Sequence, residues 1–227
     1  MIDAIIDFET LGNGSKGAVI DLALITFESD PAIVESFETL VNRGKRIKFS
    51  LEYQKGKRLF DTTTMGWWKK QSAEARVNLA PSAQDVDTLT GIQQAIDYLN
   101  GNGINKYESL MWCRGMSFDF PLFVDLIRDL QRNEGIPERE LNTYDLEPVV
   151  FWNQRDIRTA IEALSLVRKM CETPLPKGTL DGFVAHDSVH DCAKDILMLK
   201  YAQRYALGLD EVPSEEDADP LSLPKKR

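Results

Sequence analysis

The chain has 227 residues, of which 43% are hydrophobic and 28% charged, and its formal net charge is −9. These proportions are typical of a globular protein and disfavour a disordered or collagen-like chain. No apolar run approaches the roughly 18 residues that span a bilayer, and the acidic start of the chain is unlike a signal peptide, so we expect a cytoplasmic protein without a membrane segment. Three cysteines without a CxxC pair argue against disulfides and against a thiolate zinc site.

The charge is unevenly distributed along the chain. Residues 43–70 hold nine basic and two acidic side chains, whereas residues 210–219 hold six acidic and no basic ones. The negative total disfavours a nucleic-acid partner, but the basic stretch is able to meet phosphates locally. It serves equally well as a solvated loop, so charge alone leaves both interpretations open.

The first part of the chain predicts a β-meander. Apolar and β-branched residues indicate strands over 4–9, 18–27 and 33–41, with turn-prone residues between them. The basic stretch 43–60 has no clear period.

Helices alternate with short strands in the rest of the chain. The patterns predict a helix capped near 62–64, a helix over 86–99, a strand over 110–113, a helix over 121–130, a strand over 149–152, a helix from Asp156 to about 170, and a last helix from 187 or 188 to 207, which ends at Gly208. This order predicts an α/β fold with one mixed sheet, antiparallel at first and parallel later, flanked by helices. We expect a single domain over 1–209 and an acidic extension over 210–227, either packed or frayed.

Asp7-Phe8-Glu9, at the end of the first strand, is the first candidate site. A period of two places both carboxylates on one face and Phe8 on the other. Two anions this close repel each other unless a divalent cation neutralises them, which favours a metal site. For so short a motif, two solvated carboxylates at a strand end are the more common explanation.

Asp119 follows the predicted strand 110–113 and precedes a helix. It either caps that helix or joins a site beyond the strand ends, where α/β proteins bind ligands. Gly115 would let a nucleic-acid backbone approach closely.

Both histidines of the chain lie at the entry of the last helix, among several aspartates. This grouping favours a function over a structural role. His186 precedes Asp191 by five residues and His190 precedes Asp195 by five, so spacing does not choose between the pairs. We prefer His186 with Asp191, because a base in the loop before the helix can reach a water molecule. Asp195 is better explained as the partner of a nearby cation.

These motifs together resemble a known family. Asp7-x-Glu9, Phe118-Asp119 and His186-x-x-x-x-Asp191, in this order, resemble the DEDDh branch of the DEDD 3′→5′ exonucleases, which have a ribonuclease H-like fold. Single motifs of this kind are weak, but their ordered combination is specific.

The resemblance extends over nearly the full length. Trp67-Trp68, the segment Arg114 to Asp119 and the segment Arg155 to Thr159 are similar to a subgroup that contains phage exodeoxyribonucleases and a mycobacterial exoribonuclease. Many DEDDh enzymes have an asparagine where this chain has Gly115, a departure that bears on sugar or base contacts more than on metal binding.

The resemblance implies a metal-dependent reaction that releases nucleoside 5′-monophosphates. Asp7, Glu9, Asp119 and Asp191 would bind two ions, and hard oxygen ligands suit Mg²⁺ or Mn²⁺. His186, with an ordinary pKa of about 6.5, would accept the proton of the attacking water. The expected substrate is single-stranded nucleic acid, with DNA favoured over RNA, although no residue indicates a contact to the 2′-hydroxyl.

Four further residues are candidate substrate contacts: Trp67, Trp68, Phe118 and Arg158. The tryptophans would stack on bases, although core packing explains at least one of them equally well. Phe118 is a wedge or core residue, and Arg158 a phosphate ligand. Two other interpretations remain open: a non-catalytic nucleic-acid-binding module, and an interaction protein whose acidic residues form a solvated face.

Overall fold

A mixed sheet forms the centre of the molecule. The computed structural model describes residues 1–77 and 79–224. Over these residues the strands are β1 (Ile2–Thr10), β2 (Val19–Glu28), β3 (Lys45–Lys48), β4 (Met111–Cys113) and β5 (Gln154–Asp156). Their order in the sheet is β3-β2-β1-β4-β5. The pairs β1–β2 and β2–β3 are antiparallel, whereas β1–β4 and β4–β5 are parallel. The predicted mixed sheet is therefore confirmed.

Helices cover both faces of this sheet. They are α1 (Phe37–Arg43), α2 (Leu51–Gln54), α3 (Thr62–Trp68), α4 (Ala73–Val77), α5 (Thr88–Gly101), α6 (Asp119–Asn133), α7 (Ile157–Ser165) and α8 (Ser188–Leu207), with 3-10 turns at Glu138–Glu140, Phe151–Asn153 and Pro220–Ser222. The last helix begins and ends as its sequence predicts: the Asp187 side chain accepts a hydrogen bond from the His190 backbone and caps α8, and Gly208 ends it in the left-handed conformation at φ 67°.

The alternation of side chains along β1 divides the core in two. Ala4, Ile6 and Phe8 pack against α5 and α6, whereas Ile5 packs with α1, α7 and α8 on the opposite face. Asp7 and Glu9 have the parity of Ile5, so they face α8. The long helix that contains Asp191 is thus packed over the face that presents these carboxylates.

The third strand of the meander is not where the sequence predicted it. Residues 33–41 contain no strand, and from Phe37 they form α1, which is capped by Ser36. The spacing Val34, Phe37, Leu40 is helical, and all three side chains pack into the core on the α8 face. The actual strand, β3, lies in the basic stretch. It is an edge strand in which only Ile47 is buried, so it has no apolar period to detect.

The strand predicted over 149–152 is also wrong. Val149 and Val150 are buried, but the chain then makes a 3-10 turn that exposes Phe151 and Trp152, and β5 follows this turn. Asp156 caps the next helix as predicted. That helix ends at Ser165 rather than near 170, because Leu166 adopts the left-handed conformation.

The acidic segment from Asp210 packs against the loop before α8. Asp219 accepts a hydrogen bond from the Leu180 backbone, and Ser222 accepts one from Leu175. Asp210 forms an ion pair with Arg204. Residues 225–227 lie outside the described residues. In the described part of the chain, no helix is both long and apolar enough to span a membrane, and the three cysteines are free thiols.

Candidate active site

Asp7 and Glu9 lie near the carboxyl end of β1, under α8. Phe8, between them, points to the opposite face and is 3% exposed. The carboxyl ends of the parallel strands β1, β4 and β5 lie at one edge of the sheet, so the residues that follow β4 and β5 come close to this pair.

Asp119 reaches the same place from the start of α6. Strand β4 pairs with β1 only as far as Ile5, so the backbone N–H of Phe8 lies beyond it. This N–H donates to Asp119 Oδ1 at 3.3 Å. The N-cap position of α6 is Phe118, and Asp119 is therefore not the capping residue. The Asp119 side chain, which is 3% exposed, is thus hydrogen-bonded to the strand that contains Asp7 and Glu9.

Asp191 and His186 complete the group from the entry of α8. The backbone N–H of His186 donates to Asp191 Oδ2 at 3.0 Å. One ligand atom from each of Glu9, His186 and Asp191 lies within 4.8 Å of the other two, a spacing that a metal ion can bridge. His186 adopts a left-handed backbone with φ 62°, which is unusual for a residue with a side chain.

His190 occupies a different environment. Its Nδ1 accepts a hydrogen bond from the backbone of Val184 at 3.0 Å, and its ring packs edge-on against Phe37. Burial lowers the pKa of His190. These contacts are those of a packed residue within α8, whereas His186 faces the carboxylates.

We call Asp7, Glu9, Asp119 and Asp191 the carboxylate site. Burial raises the pKa of all four groups, to about 7 for Asp119 and for Asp191. The charges of the other three members raise the pKa of Asp7 further. The hydrogen bond of Asp119 to the backbone between Asp7 and Glu9, and the short spacing of Glu9 and Asp191, bring the four groups to one place. Such a group favours protons or metal cations.

An arginine lies on each side of the carboxylate site. Arg114, after β4, donates to Asp195 at 2.5 Å and to the Cys171 carbonyl at 2.9 Å. The prediction that Asp195 pairs with a nearby cation is confirmed. On the other side, Arg46 on β3 donates to Asp21 and to Asp187.

Sequence analysis missed Asp21 and Arg46. The signal for Asp21 was a single aspartate in the otherwise apolar stretch 19–27. Asp21 lies opposite Glu9 in the sheet. Burial is the largest cause that raises the pKa of Glu9; the charge of Asp21 raises it further, and the charge of Arg46 lowers it.

The two tryptophans of α3 adjoin His186 in different ways. Trp68 is 5% exposed, and its Nε1 donates to the Thr10 carbonyl at 2.9 Å. Trp67 is 42% exposed, and its ring meets the His186 ring edge-on with 4.9 Å between centroids. Of the pair, Trp67 thus has the open surface that a base would need.

The other two candidate contacts lie near the same edge of the sheet. Phe118 is half-buried and packs against the core formed with α5 and α6. Arg158 is exposed in the first turn of α7, and its charge acts on Asp195.

Comparison with known proteins identifies the family. A family model described as the 3′-5′ exoribonuclease Rv2179c-like domain matches residues 3–202. The chain belongs to this family of exonucleases. An exodeoxyribonuclease of Enterobacteria phage T4 is 65% identical over 227 residues, which is the full length of both chains.

Solved structures support the ribonuclease H-like exonuclease fold. Exonuclease I from Methylocaldum szegediense is 13% identical, with a TM-score of 0.55, and the match covers 89% of this chain and 40% of the Exonuclease I chain. E. coli Exonuclease I, in a crystal structure in complex with a dA16 oligonucleotide, is also 13% identical, with a TM-score of 0.52. This match covers 92% of this chain and 42% of the E. coli chain. The 227-residue chain thus spans less than half the length of the protein chains in these structures.

Proposed function

We propose that the protein is a divalent-metal-dependent 3′→5′ exonuclease that releases nucleoside 5′-monophosphates from single-stranded DNA. The observation on which this proposal depends is the convergence of the carboxylate site with His186 at one edge of the sheet. An interaction protein with a solvated acidic face has no need to gather one buried and three half-buried carboxylates at one place.

The side chains of the carboxylate site fit a divalent cation. All its donors are carboxylate oxygens, the ligands that Mg²⁺ and Mn²⁺ prefer. The arginines on either side pair with other aspartates: Arg46 with Asp21 and Asp187, and Arg114 with Asp195. Asp7, Glu9, Asp119 and Asp191 would hold two such ions, which supply an activated water and stabilise charge on the leaving oxygen.

His186 is the proposed general base. Its imidazole lies beside Glu9 and Asp191, where it can take the proton from a water that attacks the terminal phosphate. A neutral imidazole performs this step near pH 7, where ordinary carboxylates are weak bases.

Trp67 and Arg158 are the proposed substrate contacts. The exposed ring of Trp67 would stack on a base near the cleaved bond, with Lys69 and Lys70 available for phosphates. Arg158 would pair with a phosphate from the β5 side of the site. Trp68 and Phe118 would shape the floor of the site through packing rather than stack on bases.

The printed names of the relatives disagree about the sugar of the substrate. The full-length relative is called an exodeoxyribonuclease, whereas the family model is described as an exoribonuclease domain. We favour DNA, because 65% identity over the whole chain is the closer of these two relationships. An exoribonuclease is the second candidate.

We further propose that residues 1–209 form the catalytic unit and that residues 210–227 extend it. The packing of Asp219 and Ser222 against the loop before α8 is consistent with a fixed extension. Three free thiols fit a reducing compartment such as the cytoplasm.

The proposal is tested with single-stranded DNA and RNA oligonucleotides of equal sequence, labelled at either end. With Mg²⁺ or Mn²⁺ we expect 3′-labelled DNA to release labelled mononucleotide at once, and 5′-labelled DNA to give a ladder of shortening products. EDTA should stop both reactions. Release of mononucleotide from the 5′ label first, or equal rates with EDTA, would contradict the proposal. Faster release from RNA would select the second candidate.

A further inference from the structure

Arg46 joins the sheet to the helix that contains Asp191. It lies on β3 opposite Ala23, on the face of the sheet that α8 covers. Its Nη1 donates to Asp21 at 2.7 Å and to Ser188 at 3.3 Å, and its Nη2 donates to Asp187. A single guanidinium thus links β2 to the first turn of α8.

Both carboxylates that Arg46 contacts adjoin the carboxylate site. Asp21 lies directly opposite Glu9 in the register of β1 and β2, and its side chain is 0% exposed. Asp187 lies between His186 and Asp191 in sequence, and its side chain is 6% exposed. Arg46 therefore neutralises charges that would otherwise repel Glu9, and it fixes the residue next to His186.

The turn that contains His186 needs such a constraint. A left-handed backbone at a residue with a side chain costs about 1 kcal/mol or more and persists only where its surroundings determine it. The backbone N–H of His186 is held by Asp191, and the next residue, Asp187, is held by Arg46.

Stability alone does not explain this arrangement. A buried ion pair gains little net free energy over well-packed apolar side chains, because desolvation offsets the attraction. The fork of an arginine does fix the relative position of two carboxylates. The contacts of Arg46 therefore suit a role in geometry.

We propose that Arg46 is a positioning residue for the exonuclease reaction: by joining Asp21 to Asp187, it holds His186 and Asp191 against Glu9. This inference rests on the proposed function of the carboxylate site. In this role Arg46 acts through Asp21 and Asp187 and not on the substrate.

The test compares Arg46→Gln, Asp187→Asn and the double variant, with Arg43→Gln as the matched control. Arg43 makes an equally close two-bond pair with Glu35, at 2.6 and 2.7 Å, at the end of α1. Asp187→Asn keeps a side-chain oxygen for the cap of α8 but loses the charge that pairs with Arg46. A cap with no further role would tolerate this change.

We expect Arg46→Gln and Asp187→Asn each to lower kcat on a single-stranded DNA oligonucleotide by about 10- to 100-fold, since a displacement of about 1 Å in a catalytic group has an effect of this size. KM should change by less than about threefold. The double variant should be no slower than the slower single variant, because both changes remove one contact. Arg43→Gln should keep the wild-type kcat.

Imidazole NMR signals of the metal-free protein give a readout besides activity. The chain has two histidines, and His186→Ala assigns the signal of His186. This signal should shift in Arg46→Gln and stay in place in Arg43→Gln. If Arg46→Gln does not fold, Arg46→Lys, which keeps the charge without the fork, replaces it.

Wild-type kcat in the folded Arg46 and Asp187 variants, or losses that multiply in the double variant, would overturn the positioning role while the exonuclease proposal stands. Absence of metal-dependent nucleotide release from the wild-type protein would instead overturn the proposed function, and the positioning role with it.

Discussion

Two aspartates of the same helix show what distinguishes the carboxylate site. Asp119 and Asp125, at the start and in the middle of α6, are each 3% exposed. Asp125 meets Lys16 at 2.8 Å, Arg132 at 3.2 Å and Arg58 at 3.3 Å. Within the described residues Asp119 has no ion pair; it accepts a hydrogen bond from the Phe8 backbone and lies among three other carboxylates.

Equal burial thus has opposite meanings at the two positions. A buried carboxylate is costly unless a cation or hydrogen bonds compensate it. At Asp125 the chain provides the cations itself, and the cluster is structural. At Asp119 the chain provides more carboxylates, so a bound proton or a metal cation has to compensate the charge. This difference supports the proposed metal site without reference to any relative.

Asp119→Asn should have the largest effect on turnover. A metal ion contributes several kcal/mol to a transition state, and each 1.36 kcal/mol is tenfold, so we expect a loss of about 10⁴-fold or more. The metal-free variant should remain folded, because one of four repelling charges has gone. The measurements are single-turnover nucleotide release and circular dichroism. An Asp119→Asn enzyme within tenfold of wild type would place the metal ligands elsewhere.

His186→Ala should have the next largest effect. Loss of a general base lowers kcat by about 10²- to 10⁴-fold, while binding of Mn²⁺ should persist. His190→Ala is the control, since His190 packs against Phe37, and it should lower the melting temperature more than kcat. Steady-state kinetics of the two variants decide between the histidines: a fast His186→Ala and a slow His190→Ala would reverse the assignment.

Trp67→Ala should weaken substrate binding by about tenfold in KM, because stacking on one base contributes about 1–3 kcal/mol. Trp152 is the control: it is 53% exposed and precedes β5, so it lies at the opposite edge of the sheet. KM measured on a single-stranded oligonucleotide should be unchanged in Trp152→Ala. An unchanged KM in Trp67→Ala would assign that ring to the packing of His186 alone.

Asp125→Ala should have the smallest effect on turnover and a clear effect on stability. Removal of one partner from a buried, paired cluster costs about 3–5 kcal/mol when it leaves a charge unpaired. The loss should be smaller here, because Arg58 and Arg132 lose a common partner but both keep Asp129. Urea denaturation measures this loss, and kcat at a temperature where the variant is folded should equal that of wild type. A large loss of kcat in folded Asp125→Ala would mean that the two clusters are not separate.

The sequence was sufficient where local pattern and burial agree. The presence of the long helices α5, α6 and α8 follows from local sequence patterns, as do the Asp187 cap and the Gly208 end of α8. The alternation in β1 already placed Asp7 and Glu9 on one face. The pair of His186 and Asp191 at the entry of α8 could also be predicted, because the two residues are close in sequence.

The sequence was insufficient where tertiary contacts decide the structure. β3 is an edge strand with one buried side chain, so nothing in its composition distinguishes it from a basic loop. The partners of Arg46 are 25 and 141 residues away in the chain, and no local pattern connects them. Sequence spacing left His186 and His190 open, and the contact of His190 with Val184 is one that no local pattern shows.

Thermal unfolding with and without a divalent cation, at pH 5 and pH 7.5, shows whether the four carboxylates repel one another and bind a cation. The pKa of Asp119 and of Asp191 is raised in the folded chain from the ordinary 3.8 to about 7. Between these values the folded state binds more protons than the unfolded state, so the metal-free protein should lose stability as the pH rises from 5 to 7.5.

Millimolar Mg²⁺ or Mn²⁺ should restore this stability at pH 7.5. At about 100 times its dissociation constant a ligand contributes about 2.7 kcal/mol, which is roughly 5 to 10 °C in melting temperature for a chain of this size. Asp119→Asn should weaken both the pH dependence and the response to metal. A melting temperature that is independent of both pH and metal would overturn the proposed metal site, since the four carboxylates would then neither repel one another nor bind a cation.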